Sequence, residues 1–200
     1  MKSESKRNLS LLIMAISFVA LIYVTIKAID ISNRTQVGTK NGIYTSYVTT
    51  SQEIERKAKE LTKNCQNRLC KVQTLLNFTS NIPYQSKTFQ KYSAQKTIQQ
   101  NFGDCDDKSN LLISMLHALE IEAYFVLVPK HIFVIVPLTD KRLRERRGIW
   151  INGRKYYILE STAKSSEIGF PLKYKLSDID VIIEPFSNEK IPISSLEYKL

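Results

Sequence analysis

Between Leu9 and Ile26 (LSLLIMAISFVALIYVTI) the chain runs 18 residues without a charge, closed by Lys27. As an α-helix this segment is about 27 Å long at about 1.5 Å per residue, close to the roughly 30 Å hydrocarbon thickness of a bilayer. A soluble helix of that length keeps a polar face, whereas here only Ser10, Ser17 and Thr25 interrupt the apolar surface. The run is longer than the roughly 7–15 residues of a signal-peptide core, and no clean Ala-x-Ala site follows it, so an uncleaved anchor is expected. Lys2, Lys6 and Arg7 precede the span and Lys27, Arg34 and Lys40 follow it, so positive charge is nearly balanced across it. A short N-terminal tail kept in the cytoplasm is the usual arrangement and would place the C-terminal domain on the extracytoplasmic side. The expected organisation is a tail and anchor over residues 1–28, a polar linker or loose entry strand over 29–50, and a folded domain over 51–200.

Hydrophobic residues make up 43% of the chain and aromatic residues 10%, enough for a packed core. The formal charge of +10 is dispersed and reads as a solvated, lysine-rich surface. No glycine-rich phosphate loop or aromatic-interleaved basic motif is present, so nucleic acid is not an expected partner. The basic run Asp140–Gly148 (DKRLRERRG) reads as a solvated loop beside the site, with acidic lipid or wall polymer as the alternative contact.

Thr50-x-x-Glu53 has the form of a capping box and opens a helical pattern from about Glu53 to Phe78. Ile54, Ala58, Leu61, Cys65, Leu69, Val72 and Leu76 recur along it every three or four residues as one apolar stripe. Cys65 and Cys70 lie within this pattern and read either as a disulfide, which needs an oxidising compartment, or as two buried thiols. "NIPYQ" around Pro83 ends the helix. A shorter helix is predicted over Ser93–Gln100, stopped at Phe102-Gly103, and another starts at Cys105, burying Leu111, Leu112, Met115, Leu116 and Leu119 with Asp106, Asp107 and Lys108 in its first turn. Strands are predicted at Ala123–Val128 and Ile132–Val136, and a tight hairpin at Asn152-Gly153 within GIWINGRKYYILE. Helices first and an antiparallel sheet after them define an α+β domain.

Cys105 stands between Asp104, Asp106 and Asp107 at a helix start. The helix dipole favours a thiolate there by about 0.3–1 kcal/mol, too little to generate one near neutral pH, so a histidine must take the proton. The chain has two histidines. His117 lies twelve residues beyond Cys105 in the same helix, about three turns away, and is a surface or packing residue. His131 starts a strand, where its side chain can face a cleft. Glu160 ends the strand in "YYILEST" and can accept the other imidazole proton, the orienting role of the acid in a nucleophile–base–acid triad.

In "NIPYQ", "GDCDDKSNLLISMLHALEIEAYFV", "HIFV" and "YYILEST", residues 71–162 resemble the transglutaminase-like superfamily, whose core domain is papain-like. The resemblance implies Cys105 as nucleophile, His131 as base and Glu160 as acid. Glu-Ser-Thr stands where the family more often has Asp-Pro-Thr, and Ile132-Phe133 replaces the usual Ala-Trp after the histidine. The implied chemistry is acyl transfer on a protein or peptide substrate, through a thioester resolved by water or by an amine. The backbone N–H of Cys105 is one oxyanion donor, with Tyr84, Tyr92 and Gln100 as candidates for a second. The alternative is a catalytically silent, membrane-tethered domain that binds a partner in the cleft. No cofactor is expected. The aspartates lack the calcium-loop pattern and Cys65, Cys70, His117 and His131 lack zinc spacing, so no metal is expected either.

Overall fold

The computed structural model describes residues 2–32, 36–39, 42–86 and 91–200 and divides into two units, residues 1–35 and residues 36–200. The first unit is helix α1 (Lys2–Ser32). Its stretch Asn8–Ile29, 22 residues of mean hydropathy 2.6, is long and apolar enough to cross a membrane and carries its side chains exposed around the whole circumference. The polar hydroxyl of Thr25 is satisfied inside the helix by donating to the Leu21 carbonyl at 2.8 Å.

The second unit starts with an antiparallel hairpin, β1 (Gln36–Thr39) and β2 (Gly42–Thr45). The single helix expected over residues 53–78 is two, α2 (Gln52–Leu61) and α3 (Arg68–Asn81). Side chains that compete for backbone groups cause the break. Thr62 donates its hydroxyl to the Ala58 carbonyl at the end of α2, and the Asn67 side chain accepts from the Cys70 N–H to start α3. A disulfide joins Cys65 in the connecting loop to Cys70 in the first turn of α3. The cap of α2 is Ser51, one residue later than expected, accepting from the Ile54 N–H. The apolar stripe nevertheless persists, because Ile54 and Ala58 of α2 and Val72, Leu75 and Leu76 of α3 are all buried in one core.

Helix α4 (Ala94–Gln100) is capped by Ser93 and stops at Asn101, whose φ of 53° is left-handed. Helix α5 (Cys105–His117) follows. His117 is exposed at its C-terminal end with its ring 3.8 Å from that of Phe186, a packing contact. Six strands then build one antiparallel sheet: β3 (Tyr124–Val128), β4 (His131–Val136), β5 (Gly148–Ile151), β6 (Arg154–Leu159), β7 (Val181–Ile183) and β8 (Leu196–Lys199), ordered β7-β3-β4-β6-β5-β8. The expected α+β order of helices before an antiparallel sheet is observed.

Alternate strand residues serve two cores. Leu127, Ile132, Val134 and Leu159 face the helices with Leu111, Leu112 and Met115 of α5. Val126, Phe133, Ile135 and Ile158 face the other way and are covered by Phe170, Leu172, Tyr174 and Ile179 from the segment after β6. Burial on both faces is why HIFVIV and YFVLV read as continuous apolar runs.

The β5–β6 turn is the predicted two-residue hairpin: Ile151 pairs with Arg154, and Asn152 and Gly153 have φ of 50° and 82°. A Cβ at Gly153 meets nothing within 4 Å, so a side chain there is opposed by backbone strain alone. Gly153→Val is expected to destabilise the domain by about 1–3 kcal/mol, measured by denaturant unfolding.

Candidate active site

The start of α5 is a network of carboxylates bound to backbone amides. Asp104 accepts from the Asp107 N–H at 3.1 Å and Asp107 accepts from the Asp104 N–H at 3.3 Å, a reciprocal capping box. Asp107 is fully buried and also accepts from the Tyr92 N–H at 2.7 Å. Asp106 pairs with the Lys91 ammonium at 2.6 Å, and that ammonium lies 5.2 Å from the centre of the Tyr44 ring. The acidic cluster therefore fastens the helix terminus. Gly103 precedes it because no side chain fits: a Cβ would stand 2.9 Å from the Asp107 Cβ. Gly103 also donates to the Pro83 carbonyl and accepts from the Gln85 N–H, so the "NIPYQ" segment runs parallel to the approach to Cys105.

Two residues after Asp106, α5 turns inward. Lys108 is 1% exposed and donates its ammonium to the carbonyls of Ser80 at 3.1 Å and Ile82 at 2.8 Å. Burial lowers its pKa to about 8, against the opposing charge of Glu160. Lys108 thus stands in the first turn as expected, and its ammonium is turned into the protein. Ser109, one helical turn beyond Cys105, bonds the Ser161 hydroxyl at 3.1 Å and donates to the Ile132 carbonyl at 3.4 Å. It thereby ties the helix to the strand ends that carry the other candidate residues.

Those ends are His131, first residue of β4 after the tight Pro129-Lys130 turn, and Glu160, just past β6. His131 Nε2 lies 2.8 Å from Glu160 Oε2. The second Glu160 oxygen accepts from the Thr162 N–H at 3.0 Å and hydroxyl at 2.6 Å, which locks the carboxylate in place. The Cys105 side chain acts on the His131 ring, helping Glu160 to favour the imidazolium, and its thiol donates to Asp106 Oδ1 at 4.0 Å. Cys105 is half-buried and is the free cysteine among the three in the chain. His131 and Glu160 thus meet although 29 residues separate them, and Cys105, 26 residues before His131, is near enough to favour the charged imidazole.

Electrostatics follow from this geometry. Burial opposes a charged imidazole, but the hydrogen bond to Cys105 and the bond and charge of Glu160 outweigh it and raise the His131 pKa to about 9. Burial likewise opposes the Glu160 carboxylate, and His131 and the Thr162 donors overcome it, holding the group below its usual range. Tyr174 stacks over the imidazole at 6.0 Å and 21°. Of the three candidates for a second oxyanion donor, Tyr84 is 55% exposed beside the site, its phenol raised by burial and by the charges of Cys105, Asp104 and Asp106. Tyr92 is buried against Phe102, and Gln100 is exposed on α4. Thr162, Ser109, Lys108 and Tyr174 were not singled out from the sequence. Thr162 had a visible signal in Glu-Ser-Thr; the others had none. The basic run after Asp140 does not line the triad: Arg142 and Arg146 line a separate groove of about 680 Å³ with Leu69, Gln73 and Glu167.

Residues 55–134 match the sequence profile of the transglutaminase-like superfamily, a stretch that holds Cys105 and His131 and stops before Glu160. The α+β architecture, helices followed by an antiparallel sheet, is consistent with a transglutaminase-like core. No curated protein matches the chain. Among solved structures it is similar to a candidate cysteine protease from Cytophaga hutchinsonii, with 17% identity and a TM-score of 0.43 over 76% of this chain and 53% of that one. It is also similar to a candidate protease from Parabacteroides distasonis, with 17% identity and a TM-score of 0.45 over 72% of this chain and 28% of that one. The chain therefore corresponds to about half, or less, of the length of these proteins.

The His131 imidazole is expected to titrate near pH 9 by NMR, and Glu160→Gln to lower that midpoint by about 1–3 pH units through loss of the carboxylate charge. The folded value exceeds the ordinary 6.5, so the stabilisation is complete below pH 6.5 and disappears as the pH rises through about 9. Denaturant unfolding should accordingly show Glu160→Gln costing more stability at pH 6 than at pH 9.5. Lys108→Met leaves two buried carbonyls without their donor and is expected to cost about 1–3 kcal/mol in the same assay.

Proposed function

We propose that this chain is a membrane-anchored thiol enzyme acting on amide or peptide bonds through Cys105, His131 and Glu160. The observation that carries this reading is the imidazole held by a carboxylate at 2.8 Å, with its charged form further favoured by Cys105. The Cys105 proton passes to His131, and Glu160 stabilises the resulting imidazolium and fixes its orientation. The thiolate attacks the amide carbonyl to form a tetrahedral oxyanion. The Cys105 backbone N–H, an orphan donor of the first helical turn, and the Tyr84 phenol are its donors in this reading. As the intermediate collapses the C–N bond breaks, His131 protonates the departing amine, and a thioester remains on Cys105. Water, deprotonated by His131, then releases a carboxylic acid, or an amine releases a new amide.

Helix α1 serves as the anchor, spanning residues 9–26 and a few neighbours, with the C-terminal domain on the extracytoplasmic side. One feature supports that orientation: the Cys65–Cys70 disulfide belongs to an oxidising compartment.

In the detergent-solubilised full chain, iodoacetamide at pH 6 is expected to modify Cys105 far faster than a small-molecule thiol. His131→Ala should slow the reaction about 10²-fold or more. Incubation with amide donors should leave an acyl adduct on Cys105 that mass spectrometry detects and Cys105→Ala abolishes. If Cys105 reacts no faster than a free thiol and His131→Ala changes nothing, the domain is instead a tethered binding module. Carbonate extraction should leave the protein in the membrane pellet, and its release into the supernatant would contradict the anchor.

A further inference from the structure

Beside the imidazole lies a cavity of about 340 Å³ that the chemistry above does not use. His131 and Glu160 form one end of it. Its walls are Phe133 and Ile158 from the outer face of the sheet and Phe170, Leu172 and Tyr174 from the segment that crosses that face. Two features define what it can hold. Its polar end is already occupied, since Glu160 is committed to His131 and Thr162 and offers no free carboxylate to a cation. The charge at its rim is positive: the Lys173 ammonium sits 5.0 Å from the Phe170 ring centre. A lysine or arginine side chain would meet like charge and find no acceptor, and an acidic one would be desolvated against aromatic walls.

Resting on the thiol-enzyme reading, the geometry points to this cavity as a specificity pocket for one uncharged, bulky apolar side chain of a peptide substrate, phenylalanine or leucine in kind. The volume lies in the range of ordinary ligand pockets and exceeds one such side chain, leaving room for it to lie offset on the Tyr174 ring. The pocket is lined by His131 and not by Cys105. His131 protonates the departing amine, so the residue that fills the pocket is the one on the leaving-amine side of the scissile bond. Tyr174 has a double role in this arrangement. It covers the imidazole on one side and forms the pocket wall on the other, so occupancy packs a substrate side chain next to the proton donor.

The test uses the full chain in nanodiscs and peptides of the form acetyl-Ser-Gly-Xaa-Gly-Ser-amide, with Xaa as Phe, Leu, Ala, Lys or Asp. Protection of Cys105 from iodoacetamide reads binding, each rate being referred to the same protein without peptide. The Phe and Leu peptides are expected to protect at concentrations about tenfold lower than the Ala peptide, and the Lys and Asp peptides no better than Ala. Ala163→Phe, which fills the cavity from its lining, should abolish the preference. Leu172→Ala, which widens it, should move the preference from Leu toward Phe. The adduct left on Cys105 should carry acetyl-Ser-Gly, with Xaa on the released fragment. Equal protection by all five peptides, no protection by any, or a preference that survives Ala163→Phe would overturn the assignment, as would an adduct retaining Xaa. A Cys105 that alkylates at the ordinary thiol rate sinks the enzyme reading separately, because the ranking of peptides still reports the pocket.

Discussion

Helix α5 is held to the rest of the domain by polar groups in places where polar groups are costly, and the geometry of the candidate site depends on that attachment. Lys108 reaches two carbonyls at the end of α3, Asp107 reaches the Tyr92 amide ahead of α4, and Ser109 reaches β4 and the strand end at Ser161. Apolar packing by Leu111, Leu112 and Met115 drives the helix onto the sheet but tolerates small slides and rotations. Buried hydrogen bonds do not, since each one broken leaves a desolvated group. Three directional attachments within five residues of Cys105 therefore set where the sulfur stands relative to a histidine carried by a different element.

A thiol ringed by aspartates looks paradoxical for a nucleophile, and the structure resolves it by showing where each charge goes. Asp104 and Asp107 are spent on backbone amides, while Asp106 pairs with Lys91 through one oxygen and accepts from the Cys105 thiol at 4.0 Å through the other. The carboxylate that matters chemically is the remote Glu160, which acts on the imidazole and is itself fixed by Thr162. Asp104 and Asp107 are thus structural, and Glu160, distant in sequence, acts on the imidazole.

The α+β order was legible because the elements carry strong local signals: an apolar stripe, a proline-broken helix end, an Asn-Gly turn. Cys105, His131 and Glu160 stood out for the same reason, each at the end of a well-marked element. What was illegible lacked a local cause. The break between α2 and α3 falls inside an unbroken apolar period because Thr62 and Asn67, unremarkable in a helix, capture backbone groups instead. The burial of Lys108 has no local signal, since its two carbonyl partners lie 28 and 26 residues upstream. Strand β7 has three residues, too few to display a period, and the cover that Phe170, Leu172 and Tyr174 form over the sheet is scattered through an irregular segment.

The β3–β4 connection has two residues, Pro129 and the left-handed Lys130, between the paired Val128 and His131. Neighbouring positions of a strand point to opposite faces, so loop length here sets which residue occupies the mouth of the sheet. One added residue that shifted the β4 pairing would move the imidazole into the slot of Ile132, toward the helical core, and leave the inserted residue where the ring had been. Insertions are ordinarily cheap in surface turns. In this one, the count of residues is part of the chemistry.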